Sequence, residues 1–238
     1  MTLPEKFVER VLCDLGDAEG AALCAALDTP SPVCVRLNPA KCGPEPEGAH
    51  EAGVEARAGG ADCAGADAVA GADAAGIGDM PETAGAVGPP EPDRAALLRR
   101  LGAAERVPWS AQGWYLTARP QFTLDSDFHA GAYYVQEPSS QFVGHLLGNV
   151  PLRGARILDL CAAPGGKTTL YATLAGPEGL VVANEIDRRR AQVLADNVRK
   201  WGTGNIAVTC CEPQRLGDFE AWFDVVAVDA PCSGEGMF

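Results

Sequence analysis

The residues best suited to chemistry stand in two short runs late in the chain. The first is Asp159-Leu160-Cys161-Ala162-Ala163-Pro164-Gly165-Gly166-Lys167-Thr168, preceded by a short apolar strand (Ile157, Leu158) and followed by a helical pattern. A glycine-rich turn between strand and helix lets the backbone approach a ligand closely and aims unpaired N–H groups at it. A nucleoside-triphosphate loop would need a glycine five positions before Gly166, where Cys161 stands. A dinucleotide fingerprint would need G-x-G-x-x-G, and only the adjacent pair Gly165-Gly166 is present. What remains is a loop for a nucleoside ligand with a modest anionic group, which points towards S-adenosyl-L-methionine.

The second run, Asp229-Ala230-Pro231-Cys232-Ser233-Gly234-Glu235-Gly236, sets an acid, a rigid proline and a thiol at a strand end. A lone cysteine is ordinarily a buried structural residue. Cys232 instead sits in a Gly- and Pro-rich loop on the expected ligand edge. A thiolate there could add to C6 of a pyrimidine and make C5 nucleophilic enough to take a methyl group. Between the runs, Glu185 ends a strand 19 residues after Gly166. That spacing matches the acid, about 20 residues on, that accepts hydrogen bonds from ribose hydroxyls; a solvated acid is the plainer reading. Arg188-Arg189-Arg190 opens the next helix against its dipole, as a solvated face or with a task of its own.

The elements that must position these groups read as βαβαβ from residue 155: strand 155–160, helix 166–174, strand 180–185, helix 188–200 and strands 206–210 and 224–229. The strands are runs of Val, Ile, Leu and Ala without alternation, as in a parallel sheet covered on both faces. Binding is then expected at their carboxyl ends. Upstream, Phe7, Val8, Val11, Leu12 and Leu15 form a helical stripe over 4–15, and an alanine-rich helix covers 18–27. Val33, Val35 and Leu37 alternate with polar or small residues as in a half-buried strand, and Asp93 is placed to cap a helix carrying Leu97, Leu98 and Leu101. The aromatics Trp109, Trp114, Tyr115, Phe122, Phe128, Tyr133 and Tyr134 read chiefly as core of a β-rich connector, with base stacking the alternative.

The formal charge of −13 is concentrated: residues 42–92 carry ten acids and one base, against 22 acids and 18 bases elsewhere. That segment of Gly, Ala, Asp, Glu and Pro cannot bury enough apolar surface to offset its ordering entropy and is predicted to be a disordered insertion. The rest is near neutral and compatible with RNA. The cysteines, nine in all, include no C-x-x-C pair, so no metal site is expected. Without a signal-peptide pattern or an apolar run long enough to span a bilayer, a reducing cytoplasm and no membrane partner are expected.

Together the two runs resemble the NOL1/NOP2/Sun family of RNA cytosine-5 methyltransferases. Phe128-His129-Ala130-Gly131-Ala132-Tyr133-Tyr134-Val135-Gln136-Glu137-Pro138-Ser139-Ser140 is similar to the family's segment before its catalytic domain. Leu3-Pro4-Glu5-Lys6-Phe7 and Val35-Arg36-Leu37-Asn38-Pro39 are similar to the N-terminal module of the bacterial ribosomal-RNA branch. The resemblance implies an α/β, Rossmann-like S-adenosylmethionine-dependent methyltransferase sheet, here incomplete, over 128–238. A small α+β RNA-binding-type module from 1–41 and 93–127 would precede it, the whole acting as a cytoplasmic monomer on 16S ribosomal RNA.

By the same resemblance, Cys161, Ala162, Ala163, Pro164, Gly165, Gly166 and Lys167 would line the cofactor and Glu185 would hold its ribose. Glu212 would replace the family's aspartate near adenine, and Asp229 would lie between cofactor and target cytosine. The cysteine matching Cys232 helps release product in this family, the nucleophile being a second cysteine in a Thr-Cys motif on a later strand. The sequence ends at Phe238, ahead of that strand. A fragment that methylates poorly or not at all is therefore expected. A non-catalytic cofactor or RNA binder, and a DNA methyltransferase with Cys232 as nucleophile, are the other readings.

Overall fold

The computed structural model describes residues 3–29, 31–43 and 93–230. Two helices come first, α1 (Glu5–Leu15) and α2 (Asp17–Leu27), packed as a hairpin about Gly16. An antiparallel sheet follows, built from β1 (Cys34–Leu37), β2 (Ala103–Arg106), β3 (Gly113–Leu116) and β4 (Tyr133–Val135) in the order β2-β3-β1-β4. Helix α3 (Arg94–Leu101) covers it; the Asp93 side chain accepts from the Ala95 N–H and so caps the helix, as its sequence predicts. Val35, Leu37, Leu97, Leu101, Leu116, Phe122 and Tyr133 make the core of this half. Phe122 and Tyr133 are thus core aromatics, and Trp114 and Phe128 pack against them.

After the single turn α4 (Ser126–His129) and β4, the chain enters α5 (Pro138–Leu146) and a parallel sheet. Its strands β5 (Arg156–Asp159), β6 (Leu180–Asn184), β7 (Ile206–Thr209) and β8 (Val225–Ala227) lie in the order β7-β6-β5-β8. Helices α6 (Gly166–Ala175) and α7 (Arg188–Trp201) form the crossovers. Ile157, Val181, Tyr171, Ala172 and Ala175 pack one core patch, and Ala162, Ala183 and Leu194 another. The strand order runs outward from β5 through β6 to β7 and then returns to β8 on β5's other side. That reversal opens a crevice at the carboxyl ends of β5 and β8, where ligands bind in open α/β sheets.

Three expectations need correction. β1 is buried on both faces rather than half-buried, because its polar residues are covered by the second sheet's elements. The N-terminal module extends past residue 127, since β4 pairs in register with β1. It also extends past 41, since Cys42 is buried and bonded to Asn38 through its backbone. Of the insertion expected over 42–92, residues 44–92 lie outside the described residues.

The two sheets are joined by β1 and the turn after it. The Asn38 amide donates to the carbonyls of Gly131 (2.9 Å) and Trp201 (2.8 Å). Lys41 Nζ reaches the carbonyls of Ala130 (2.5 Å) and Lys200 (2.8 Å).

Candidate functional site

The predicted loop is held at the switch point by backbone pairing on both sides. The Leu160 N–H donates to the Ala227 carbonyl of β8, and the Ala162 N–H to the Asn184 carbonyl of β6. Asn184 also ties three strand tips with its side chain: Nδ2 donates to the Leu160 and Cys211 carbonyls, and Oδ1 accepts from Thr209 and the Cys211 N–H. Such a fully paired buried amide fixes local geometry rather than offering itself to a ligand.

A cleft of about 190 Å³ opens here. Its floor is Asp159 and the loop from Cys161 to Pro164 with Gly166 and Lys167; Asp229 closes one side, and Tyr134, Gln136 and Ser140 close the other. Gly165 does not line it. That residue turns the chain at φ +109°, a left-handed conformation, with its Cα packed so closely on Leu194 that a Cβ would lie 3.1 Å from Leu194 Cδ1.

The electrostatics of the cleft are acidic and specific. Burial pushes the Asp159 carboxyl up to about 6, against the opposing Thr168 hydroxyl, which donates to Asp159 Oδ2 at 2.7 Å. Lys167 Nζ donates to Asp229 Oδ2 at 2.6 Å, linking the first run to the second across the cleft. The Cys161 thiol is pushed up by burial and then by the negative charges of Glu185, Asp159 and Asp229. It therefore stays protonated near neutral pH, which suits a wall residue and not a nucleophile.

Glu185 follows the last residue of β6 and is 2% exposed. Its Oε1 accepts from the Asp187 N–H at 3.1 Å. Arg190 Nη1 stands 3.1 Å from Oε2 as an ion pair, out of line for a hydrogen bond, so Oε2 is a buried acceptor without a hydrogen-bond donor among the described residues. Buried carboxylate oxygens ordinarily accept hydrogen bonds; Glu185 does not itself line the cleft, and its Oε2, ion-paired with Arg190, keeps capacity to accept from a hydroxyl donor from outside the protein.

The structure thus brings together Cys161, Ala162, Ala163, Pro164, Gly166, Lys167 and Asp229, with Glu185 close enough to act on Cys161. It does not bring Glu212 into the cleft; that residue is exposed ahead of the short 3-10 turn Pro213–Leu216. Cys232 lies outside the described residues. Sequence reasoning gave no place in the cleft to Asp159, Tyr134 or Gln136, which complete its lining. Asp159 sits within the first run, and Tyr134 and Gln136 within the family-like segment 128–140, but nothing local shows that the last two meet the loop, since they arrive from a separate sheet. Among the described residues there is no cluster of three or more metal-ligating side chains, and no helix long and apolar enough to cross a membrane.

Comparison with known proteins bears on these positions. Residues 149–238 match the family model described as 16S rRNA methyltransferase RsmB/F, and residues 91–138 match the N-terminal domain of 16S rRNA methyltransferase RsmF. Ribosomal RNA small subunit methyltransferase F of Shewanella piezotolerans is 38% identical over 136 residues, covering 55% of this chain and 28% of that protein. Its counterpart in Pectobacterium atrosepticum is 37% identical over 138 residues, covering 56% and 28%. The chain therefore spans less than a third of the length of these relatives. Among solved structures, a methyltransferase homolog from Pyrococcus horikoshii superimposes with a TM-score of 0.61 at 24% identity, covering 98% of this chain and 65% of that one. NSun6 from the same organism, solved with SFG, gives 0.63 at 15%, covering 96% and 71%. These likenesses establish the α/β methyltransferase fold. The chain thus has the α/β methyltransferase fold, and its residues 91–138 and 149–238 match 16S rRNA methyltransferase domains of the RsmF and RsmB/F type.

Proposed function

We propose that this chain carries the S-adenosyl-L-methionine site, and part of the target-base site, of a 16S ribosomal-RNA cytosine-5 methyltransferase. The observation that carries the reading is Glu185, a buried carboxylate just after β6 whose Oε2 has an ion pair with Arg190 but no hydrogen-bond donor among the described residues, near a glycine loop at the sheet's switch point. A ribose hydroxyl is the group such an oxygen would accept from. The backbone N–H groups that begin α6 would receive the methionine carboxylate, where the helix dipole favours negative charge. Glu212 would lie at the adenine end. When bound, the cofactor supplies an electrophilic methyl group.

Asp229, held by Lys167, would hydrogen-bond the target cytosine, whose base must leave its stack to reach the cleft. Cys232 would act beside it in releasing the methylated base. RNA contact is assigned to the N-terminal module, and the protein would act as a cytoplasmic monomer.

The test is titration calorimetry of the 238-residue chain with S-adenosyl-L-homocysteine. Binding is expected, and Glu185→Gln should weaken it about ten- to a hundredfold, the loss of a charge-assisted hydrogen bond. Absence of binding by the wild-type chain, or an unchanged affinity in Glu185→Gln, would overturn the assignment.

A further inference from the structure

The glycine loop is held from behind, carbonyl by carbonyl. The Ala163 oxygen accepts from Arg190 Nη2 at 3.0 Å, and the Pro164 oxygen from Asn197 Nδ2 at 2.8 Å and Tyr134 OH at 3.3 Å. The Gly165 oxygen accepts from Thr169 Oγ1 at 3.0 Å, and the Gly166 oxygen from Arg36 Nη2 at 3.1 Å. In a planar trans peptide the carbonyl and the following N–H point in opposite directions. Anchoring the Gly165 and Gly166 carbonyls on one side therefore turns the N–H groups of Gly166 and Lys167 to the other. These two residues begin α6, so their N–H groups have no partner within the helix.

Arg36 differs from the other anchors. It comes from β1, 130 residues before its acceptor. It is 1% exposed, and its partners are all neutral: Gln136 Oε1 at 2.7 Å, Thr169 Oγ1 at 2.6 Å, the Gly166 carbonyl, and the Trp201 ring 4.6 Å from the guanidinium carbon. Burial pushes its pKa down to about 9, which still leaves it charged at neutral pH. A buried cation without a counter-charge among the described residues, at the positive end of a helix, opposes stability. An apolar side chain would serve mere packing better. What the guanidinium adds is a fork that fixes three acceptors at once and a positive charge behind the loop.

We propose that Arg36 is a positioning residue of the cofactor loop, so that the N-terminal module forms part of the cofactor site rather than a separable RNA-binding appendage. This rests on the cofactor reading above, yet it can be tested apart from it. The full 238-residue chain is compared with Arg36→Met, Arg36→Lys and, as a control for stability alone, Leu97→Ala in the same module's core. Two readouts are taken: affinity for S-adenosyl-L-homocysteine, and amide hydrogen exchange of the 160–170 segment.

Arg36→Met should weaken binding about tenfold or more and speed exchange of the segment by a similar factor. Arg36→Lys, which keeps the charge and loses the fork, should fall between and serves alone if the methionine variant does not fold. Leu97→Ala should lower the melting temperature while leaving both readouts at wild-type values. Unchanged exchange and affinity in the Arg36 variants would overturn the proposal, as would Leu97→Ala reproducing their changes. Failure of the wild-type chain to bind would sink the cofactor reading, and the exchange difference would then decide the role of Arg36 by itself.

Discussion

Asp159 illustrates how a single side chain trades stability for position. Its carboxyl titrates at about 6 in the folded chain and at 3.8 when free, chiefly because burial disfavours the charged form. Below the lower value both states hold the proton. As pH rises from 3.8 through about 6, the unfolded chain releases its proton first, so this group's contribution to stability is lost over that window, about 3 kcal/mol in all. Asp159→Asn keeps an acceptor for the Thr168 hydroxyl and removes the titration. Urea melts at pH 4 and pH 7.5 should therefore show the variant gaining up to about 3 kcal/mol on the wild type between the two. An equal difference at both pH values would show that Asp159 carries no such cost. At neutral pH the residue presents a desolvated negative charge to the cleft, which strengthens any interaction made there.

At the scale of elements, the corner between α4 and β4 meets the C-terminal end of α7 at Gly131. Its φ is +72°, and a Cβ there would run into the Lys200 carbonyl. Gly131→Ala is expected to cost more than about 3 kcal/mol in thermal or urea melts, since backbone strain and a clash with backbone add. A cost under 1 kcal/mol would mean the two elements are not in close contact. The basic start of α7 is reconciled with its dipole at the same scale: the Asp187 side chain accepts from the Arg189 and Arg190 N–H groups, and Arg190 turns back to the loop and to Glu185. Arg190 thus has a task, although it is exposed like its two neighbours.

Most helices and strands were legible because each carries its own period of apolar residues, and the glycine turn between β5 and α6 because its motif is local. Helix α5 was not, since Pro138 and Gly144 interrupt a short apolar pattern. The burial of Arg36 was not legible either. A cation at a polar position of an alternating strand reads as solvent-facing, and the residues that cover it stand a hundred positions and more downstream. Glu212 comes from the resemblance alone: the turn after β7 leaves its side chain exposed, and its place at the adenine end stays a proposal.

For the whole molecule, the stitching of one sheet to the other decides how it unfolds. Asn38 is fully buried and donates to two carbonyls, one at the α4–β4 corner and one at the end of α7. With the buried Arg36 and the partly exposed Lys41 it joins the halves through polar contacts. A single cooperative transition is expected for the wild type. Asn38→Ala should lower stability by about 2–3 kcal/mol, because it strands buried carbonyls. Resolved separate transitions in the wild-type chain would show that the halves are energetically independent.

The origin of Arg36 in β1 also has a kinetic side. β1 precedes its partner strands, which lie far ahead in the chain: Cys34 pairs with Tyr115, and Val35 with Val135. A long loop must close before the sheet can form, and a longer one before Arg36 meets Gly166. The parallel strands and crossover helices can assemble from neighbours in sequence without waiting for either event. With Arg36 positioning the loop as proposed, competence to hold a ligand would be gained last during folding. A newly made or partly unfolded chain would lack it while its helices were already in place.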